Sequence, residues 1–223
     1  MAVDKPIVAI LGGTGKEGSG LALRWAYVGY PVIIGSRQEE KAQATALQLN
    51  NLLGNNRIKG MTNENAARKA DLCVLTVVQE AHREALLGLK DVLKGKILVD
   101  ATVRVDFRNP RPPAPPAAAR QAQDILGADV PVVAALQNVP AHALKVNLGG
   151  DLDSDVLVCA DDQEAARQVM QLIEAVGMRA FYAGGLDNAI VVEGITSLLI
   201  SMNKFYGIKT ASVTISGIQT SVD

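Results

Sequence analysis

The residues with the most evident chemistry are three glycines near the start of the chain. The segment ILGGTGKEGSG places Gly13, Gly15 and Gly18 in G-x-G-x-x-G spacing, after the apolar run IVAI and before the helix-like segment SGLALRWAYVGY. In such a loop the first glycine permits a tight turn, the second lets the backbone approach a pyrophosphate, and the third lets helix and strand pack closely. The helix N-terminus adds free N–H groups and partial positive charge. The loop therefore predicts a dinucleotide site, which is favoured over a glycine-rich turn without a ligand.

The end of the second apolar strand indicates which dinucleotide binds. An NAD site usually has Asp or Glu there, to accept hydrogen bonds from the ribose 2′-hydroxyl. Here VIIG leads into Ser36 and Arg37, and Lys41 follows one helical turn later. A hydroxyl and two cations suit a 2′-phosphate, so the sequence predicts NADP(H). The alternative for Arg37 is a solvated charge that pairs with Glu39 or Glu40.

Other catalytic sets are not evident in the sequence. No tyrosine has a lysine four positions later, which disfavours the short-chain dehydrogenases. The two histidines are not spaced as a metal pair, and we expect no metal site. His82 lies in the charged segment QEAHREALLGLK and is predicted to face solvent, whereas His142 follows QNVPA and could approach the site. Neither histidine has an evident carboxylate partner. Hydride transfer between two flat redox rings fits this small inventory, because it needs mainly positioning.

The elements that must position these residues alternate in type. Apolar strands without polar alternation are expected to be covered on both faces, as in a parallel sheet. Two amphipathic segments, EKAQATALQLNNLLG and DQEAARQVMQLIEAVG, end at glycine as capped helices do. The pattern predicts an α/β fold with a Rossmann-type doubly wound parallel sheet. The predicted strands are Val8–Leu11, Val32–Gly35, Leu72–Val78, Lys96–Ala101, Pro131–Leu136, Asp155–Cys159 and the short RAFYAG.

Two later segments interrupt this alternation. RNPRPPAPPAAAR has five prolines between Pro110 and Pro116, so it cannot be a helix or a central strand. We expect an exposed extended loop there, or alternatively a lid over the site. The run AIVVEGITSLLISM from Ala189 is too short to span a bilayer and is predicted to be a buried helix.

Composition limits the class of protein. The chain has 223 residues, of which 48% are hydrophobic, which is enough for one large α/β domain or for a large domain with a small appendage. A net charge of −1 with scattered Lys and Arg predicts no nucleic-acid surface. Cys73 and Cys159 lie in apolar strands and are expected to be buried thiols, which fits a reducing cytoplasm. No signal peptide or membrane span is expected.

The chain also resembles a known family over nearly its whole length. It is similar to the NADPH-dependent coenzyme F-420 (F420) reductases, also called F420:NADP oxidoreductases. The segments that carry the resemblance are ILGGTGKEGSGLALRWA, VIIGSRQEEKA, ADLCVLTV, ALQNVPA and LVCADDQEAARQVMQLIEAVGMRAFYAGGLDNA. The resemblance implies a Rossmann domain at residues 1–185 with a small C-terminal helical part at residues 186–223, which would contribute to the acceptor site or to a dimer. It also implies a homodimer that transfers a hydride between NADPH and an 8-hydroxy-5-deazaflavin.

The resemblance also implies site residues. NADP would be bound by Gly13, Thr14, Gly15, Lys16, Glu17, Ser36, Arg37 and Lys41, with Thr76, Val78, Val103, Pro140 and Ala141 completing the cofactor sites. Gln137 and Val139 would face the deazaflavin as the catalytic positions, and backbone and amide donors around them would stabilise charge on its pyrimidine edge.

The chain departs from some family members where the second ring would sit. Val78 and Gln79 stand where those members have Pro-Trp, and Gln137 stands where they have His. Two alternatives therefore stay open: an NADPH-dependent reductase of another acceptor, such as a flavin, quinone or metal chelate, and a non-enzymatic NADP-binding sensor.

Overall fold

Strands and helices alternate along most of the chain. The computed structural model describes residues 5–218. The strands are β1 (Val8–Leu11), β2 (Val32–Ser36), β3 (Ile58–Thr62), β4 (Leu72–Leu75), β5 (Ile97–Asp100), β6 (Val132–Ala134), β7 (Val156–Ala160) and β8 (Ala180–Tyr182). The helices are α1 (Lys16–Tyr27), α2 (Glu39–Leu53), α3 (Asn63–Lys69), α4 (Gln79–Leu93), α5 (Ala118–Leu126), α6 (Gln163–Glu174) and α7 (Ala189–Tyr206). Every predicted strand is present, but the strand predicted to reach Val78 ends at Leu75.

The strands form one eight-stranded sheet in the order β3-β2-β1-β4-β5-β6-β7-β8. The chain winds from β1 outward to β3, then crosses back to place β4 on the other side of β1. This confirms the predicted doubly wound Rossmann-type fold, and the crevice between the ends of β1 and β4 is where such sheets bind ligands. The sheet is not wholly parallel, because β7 runs antiparallel to β6. A parallel neighbour would need a helical crossover, and no α-helix lies between β6 and β7.

β3 was missed in the sequence because it has no apolar run. It lies at one edge of the sheet, and only Ile58 is buried among its residues. Gly60 holds it close to α2, since a Cβ at that position would lie 2.3 Å from the backbone of Ala42 and Gln43. β3 is therefore held against α2 by close backbone packing, and its sequence has no apolar run by which it could be recognised.

The core lies on both faces of the sheet. One apolar cluster joins the strands to α1, α2 and α6, and the other joins them to α3, α4 and α5. Cys73 and Cys159 are fully buried free thiols, as predicted. Burial raises the pKa of Cys73 to about 12 and that of Cys159 to about 11, so both thiols stay protonated and unreactive.

α7 differs from its prediction as a buried helix. Leu199 and Glu193 are buried, but Val191, Leu198 and Phe205 are exposed by 63%, 59% and 82%. The sequence of α7 is apolar on all sides, whereas the described residues cover only one side. No helix within residues 5–218 is long and apolar enough to cross a membrane.

The proline segment is extended and packs along α7. The carbonyl of Arg111 accepts a hydrogen bond from Ser197 Oγ at 2.9 Å, and the carbonyl of Arg108 accepts one from Lys204 Nζ at 3.0 Å. The stretch just before these prolines, including Val103 and Phe107, borders a cavity described below.

Candidate functional site

The glycine loop connects the end of β1 to the first turn of α1. Gly18 makes this approach possible, because a Cβ there would lie 2.6 Å from Gly13 Cα and 2.7 Å from Thr76 Oγ1. The space beside Gly15 is open, and its backbone forms the N-cap of α1. The loop therefore presents the N–H groups of a helix N-terminus to an open crevice, which suits an anionic ligand.

A first cavity of about 610 Å³ opens beside this loop. Thr14 and Gly15 line it on one side, and Ser36, Arg37 and Lys41 line it on the other. Arg37 and Lys41 are exposed, and no ion pair joins Arg37 to another described residue. The three side chains predicted to hold a 2′-phosphate are therefore brought together with both cations free to bind it.

Sequence reasoning missed part of this cavity. Thr62, Asn63 and Glu64 line it, at the end of the unrecognised strand β3 and directly after it. Asn63 also fixes the glycine loop, because its Oδ1 accepts a hydrogen bond from the N–H of Gly12 at 3.0 Å.

A second cavity of about 660 Å³ lies on the other side of the loop. Gln137 and Val139, which were predicted to face the acceptor, line it together with Val103, Pro140 and Ala141. Lys16 and Glu17, which were predicted to bind NADP, line this second cavity and not the first. α7 adds Thr196, Leu199, Ile200 and Asn203, which sequence reasoning did not single out. His142 also lines this cavity and is exposed. Gly13 borders neither cavity, since it is packed inside the turn.

The two cavities share one wall. Gly15, Thr76, Val77 and Val78 border both of them. Val78 is 67% exposed although it is apolar, so a ligand in either cavity would cover it. Two ligands bound in these cavities would meet at this wall.

The turn after β6 supplies much of the second cavity. Leu136 adopts a left-handed conformation with φ of 78°, which bends the chain sharply at a non-glycine residue. The Gln137 amide N–H donates to the Asp100 carbonyl at 2.9 Å, and the Val139 N–H donates to the Leu136 carbonyl at 3.0 Å. These two donors, which we expected to face the acceptor, are thus used within the protein. Gln137 Oε1 and Asn138 Oδ1 are buried without a partner, so the turn retains two acceptor oxygens that no described donor satisfies.

His82 contradicts its prediction as a solvated residue without a carboxylate partner. It is only 5% exposed, and its Nε2 lies 2.7 Å from Oδ2 of the fully buried Asp100. The helical spacing explains the error, because His82 falls on the same face of α4 as the buried Leu86, Leu89 and Leu93. The charged neighbours in the sequence belong to the opposite face.

Asp100 was not recognised in the sequence either. It ends β5 in the middle of the sheet, and its Oδ1 accepts a hydrogen bond from the N–H of Thr102 at 2.9 Å. Its charge also acts on Glu17, which is partly buried at the wall of the second cavity. Burial and, secondarily, repulsion by Asp100 raise the pKa of Glu17 to about 8.

Known proteins resemble this chain in sequence and in fold. The family described as "NADP oxidoreductase coenzyme F420-dependent" matches residues 7–104. The F420-dependent NADP reductase of Methanothermobacter marburgensis is 38% identical over 95% of this chain and 98% of its own length. The enzyme of the same name from Methanocaldococcus jannaschii is 36% identical over 95% of this chain and 99% of its own. A crystal structure of a candidate F420-dependent NADP-reductase from Arthrobacter sp. FB24 has a TM-score of 0.79 and 25% identity, covering 95% of this chain and all of that one.

Proposed function

The chain belongs to the F420-dependent NADP reductase family, and from this we propose that it is an oxidoreductase that transfers a hydride between NADPH and coenzyme F420. The observation that carries the proposal is the pair of cavities that meet at one wall. A transferred hydride needs donor and acceptor atoms about 3–3.5 Å apart. Two ligand sites with a common border meet that need.

NADP(H) is proposed for the first cavity. The open N-terminus of α1 at Gly15 would hold its pyrophosphate, with Gly13, Thr14, Lys16 and Glu17 forming the rest of the loop. Ser36, Arg37 and Lys41 would bind the 2′-phosphate. Thr76 and Val78, at the shared wall, would contact the nicotinamide half, which carries the hydride when NADPH is bound.

The deazaflavin is proposed for the second cavity. Gln137 and Val139 would contact its ring as catalytic positions, and Val103, Pro140 and Ala141 would complete the wall. We propose that residues 1–185 form the nucleotide-binding domain and that residues 186–223 contribute to the acceptor site or to a dimer, although residues 1–4 and 219–223 lie outside the described part of the chain. The contribution of Thr196 and Leu199 to the cavity supports this division.

We further propose that the enzyme is a homodimer that works in the cytoplasm. The exposed apolar side of α7, formed by Val191, Leu198, Met202 and Phe205, supports a second copy as its cover. The two free thiols and the use of NADPH support a reducing compartment. Light scattering of the purified protein would measure the mass, and a monomer at micromolar concentration would contradict the dimer.

The reaction is tested with purified protein, NADPH labelled with deuterium on the nicotinamide ring, and oxidised F420. We expect loss of deazaflavin absorbance and deuterium at C5 of the product, with no added flavin or metal. A panel of flavins, quinones and ferric chelates is run in parallel. Rapid reduction of one of these with no turnover of F420 would favour the alternative reductase, and NADPH binding with no turnover of any acceptor would favour the sensor.

A further inference from the structure

Glu17 lies at the point where the two proposed ligands would meet. It is the second residue of α1, and Gly15, two positions earlier, borders both cavities. Glu17 itself lines the second cavity and is partly buried. No hydrogen-bond donor among residues 5–218 reaches its carboxyl group. A partly buried carboxyl group without a protein partner is available to a ligand in this cavity.

The groups around Glu17 favour its neutral form. Burial disfavours a charge on this carboxyl group, and the negative charge of Asp100 at the end of β5 adds to the effect. Asp100 is itself held in place by His82 of α4. The resulting pKa of about 8 leaves Glu17 mostly protonated at neutral pH. The other titratable groups that line the same cavity are Lys16 in the same helix, Glu80 at the start of α4, His142 after β6 and Lys209 after α7.

The reaction requires a proton as well as a hydride. When a hydride adds to C5 of a deazaflavin, an electron pair moves through the conjugated ring to N1 of its pyrimidine part. N1 must then take a proton to complete the reduced ring. A carboxylic acid beside the ring can supply that proton as a general acid.

We propose that Glu17 donates this proton to the deazaflavin and takes it back in the reverse direction, an inference that rests on the proposed function. In the forward step the C4–H bond of the nicotinamide breaks and its electron pair forms the C5–H bond. The O–H bond of Glu17 breaks as the N1–H bond forms, which leaves a carboxylate. That carboxylate regains a proton from water through the open cavity, so the net reaction consumes NADPH, F420 and one proton.

The other cavity residues fit this role less well. His142 and Glu80 are exposed, so bulk water competes with them for the proton. Lys209 is also exposed and lies beyond the C-terminal end of α7. Glu17 is partly buried and lies two residues after Gly15, which belongs to the shared wall.

The first test needs neither substrate. Carbon-13 NMR of the glutamate carboxyl groups follows each titration in the free protein, and Glu17→Gln identifies the signal that disappears. We expect the Glu17 signal to titrate near pH 8. A titration near the ordinary value of 4.5 would overturn the proposal, because the group would then be a carboxylate at neutral pH.

The second test is the pH dependence of kcat/KM in both directions. F420 reduction should slow as pH rises through the Glu17 titration, and oxidation of reduced F420 should quicken over the same range. In Glu17→Gln, kcat/KM should no longer change across this pH range in either direction. We also expect kcat to fall by about 10²-fold, a value within the range for a positioned general acid. Glu80→Gln, a matched change at another glutamate of the cavity, should keep the wild-type pH dependence of kcat/KM in both directions.

The far-UV circular dichroism spectrum of Glu17→Gln at pH 6.5 should match that of the wild-type protein, which shows that the variant is folded. If Glu17→Gln had the kcat of the wild-type protein and the same pH dependence of kcat/KM, the proposal would be overturned. If the wild-type protein reduces another acceptor but not F420, the proposed function fails, whereas the titration of Glu17 would still report its proton affinity.

Discussion

Arg24 offers the clearest prediction about stability. It is fully buried in α1, and its guanidinium donates to the carbonyls of Leu144 at 2.9 Å, Val176 at 3.1 Å and Val146 at 2.7 Å. Longer contacts reach the carbonyls of Gly150 and Asn147. One side chain thus joins α1 to the segment after the acceptor turn and to the end of α6. Burial lowers the pKa of Arg24, but a guanidinium keeps its charge.

The size of the effect follows from these contacts. Each hydrogen bond to a charged group contributes about 1.5–3 kcal/mol, and part of the sum offsets the cost of burying the charge. Arg24→Met keeps the apolar stem but leaves the carbonyls without a donor, so we expect a loss of about 3–5 kcal/mol. Arg24→Lys cannot reproduce the planar fork and should lose about 2 kcal/mol.

Thermal and urea unfolding measure this loss. A melting temperature falls by about 2–4 °C per kcal/mol in a chain of this size, so Arg24→Met should melt about 6–20 °C lower. Arg68→Ala is the control, because Arg68 is exposed and pairs only with Glu64 one turn away in α3. If Arg24→Met lost no more stability than this control, the carbonyl contacts would not stabilise the fold.

Four further predictions concern the site. Arg37→Ala should weaken NADPH by about 1.5–3 kcal/mol and leave NADH nearly unchanged, and equal losses in calorimetry would contradict the 2′-phosphate assignment. Val139→Trp should raise the KM for F420 at least tenfold while NADPH titrates normally; an unchanged KM would place the acceptor elsewhere. His142→Ala should lower kcat less than tenfold, and a larger loss would make His142 the proton donor. Glu17 lowers wild-type stability as pH rises from about 4.5 to 8, because the folded protein holds a proton that the unfolded chain releases. Above pH 8, Glu17→Gln should be more stable than wild type by up to about 5 kcal/mol in urea unfolding, and equal stability at pH 9 would refute the raised pKa.

The nucleotide loop could be predicted from sequence because its chemistry is local. The spacing of Gly13, Gly15 and Gly18 and the position of Ser36 and Arg37 after β2 depend only on neighbours along the chain. The packing that these residues make in the fold is consistent with that local pattern. Their roles in binding remain predictions that the experiments above address.

The buried polar residues could not be predicted in the same way. The environment of His82 depends on Asp100, 18 residues away, and the proton affinity of Glu17 depends on the same carboxylate. Helical periodicity would have placed His82 on the buried face of α4, since Leu86 lies one turn later, but no local pattern reveals its partner. The prediction for α7 failed for a related reason. The apolar residues of a helix do not by themselves indicate which of its faces pack against the rest of the chain.

The wall shared by the two cavities also constrains the order of events. Gly15, Thr76, Val77 and Val78 border both cavities, and none of these four residues can store a hydride between two half-reactions. Both substrates must therefore occupy the enzyme together before either product leaves. Steady-state kinetics should follow a ternary-complex mechanism, with double-reciprocal lines that intersect, whereas the parallel lines of a ping-pong mechanism would require a carrier that this wall does not provide.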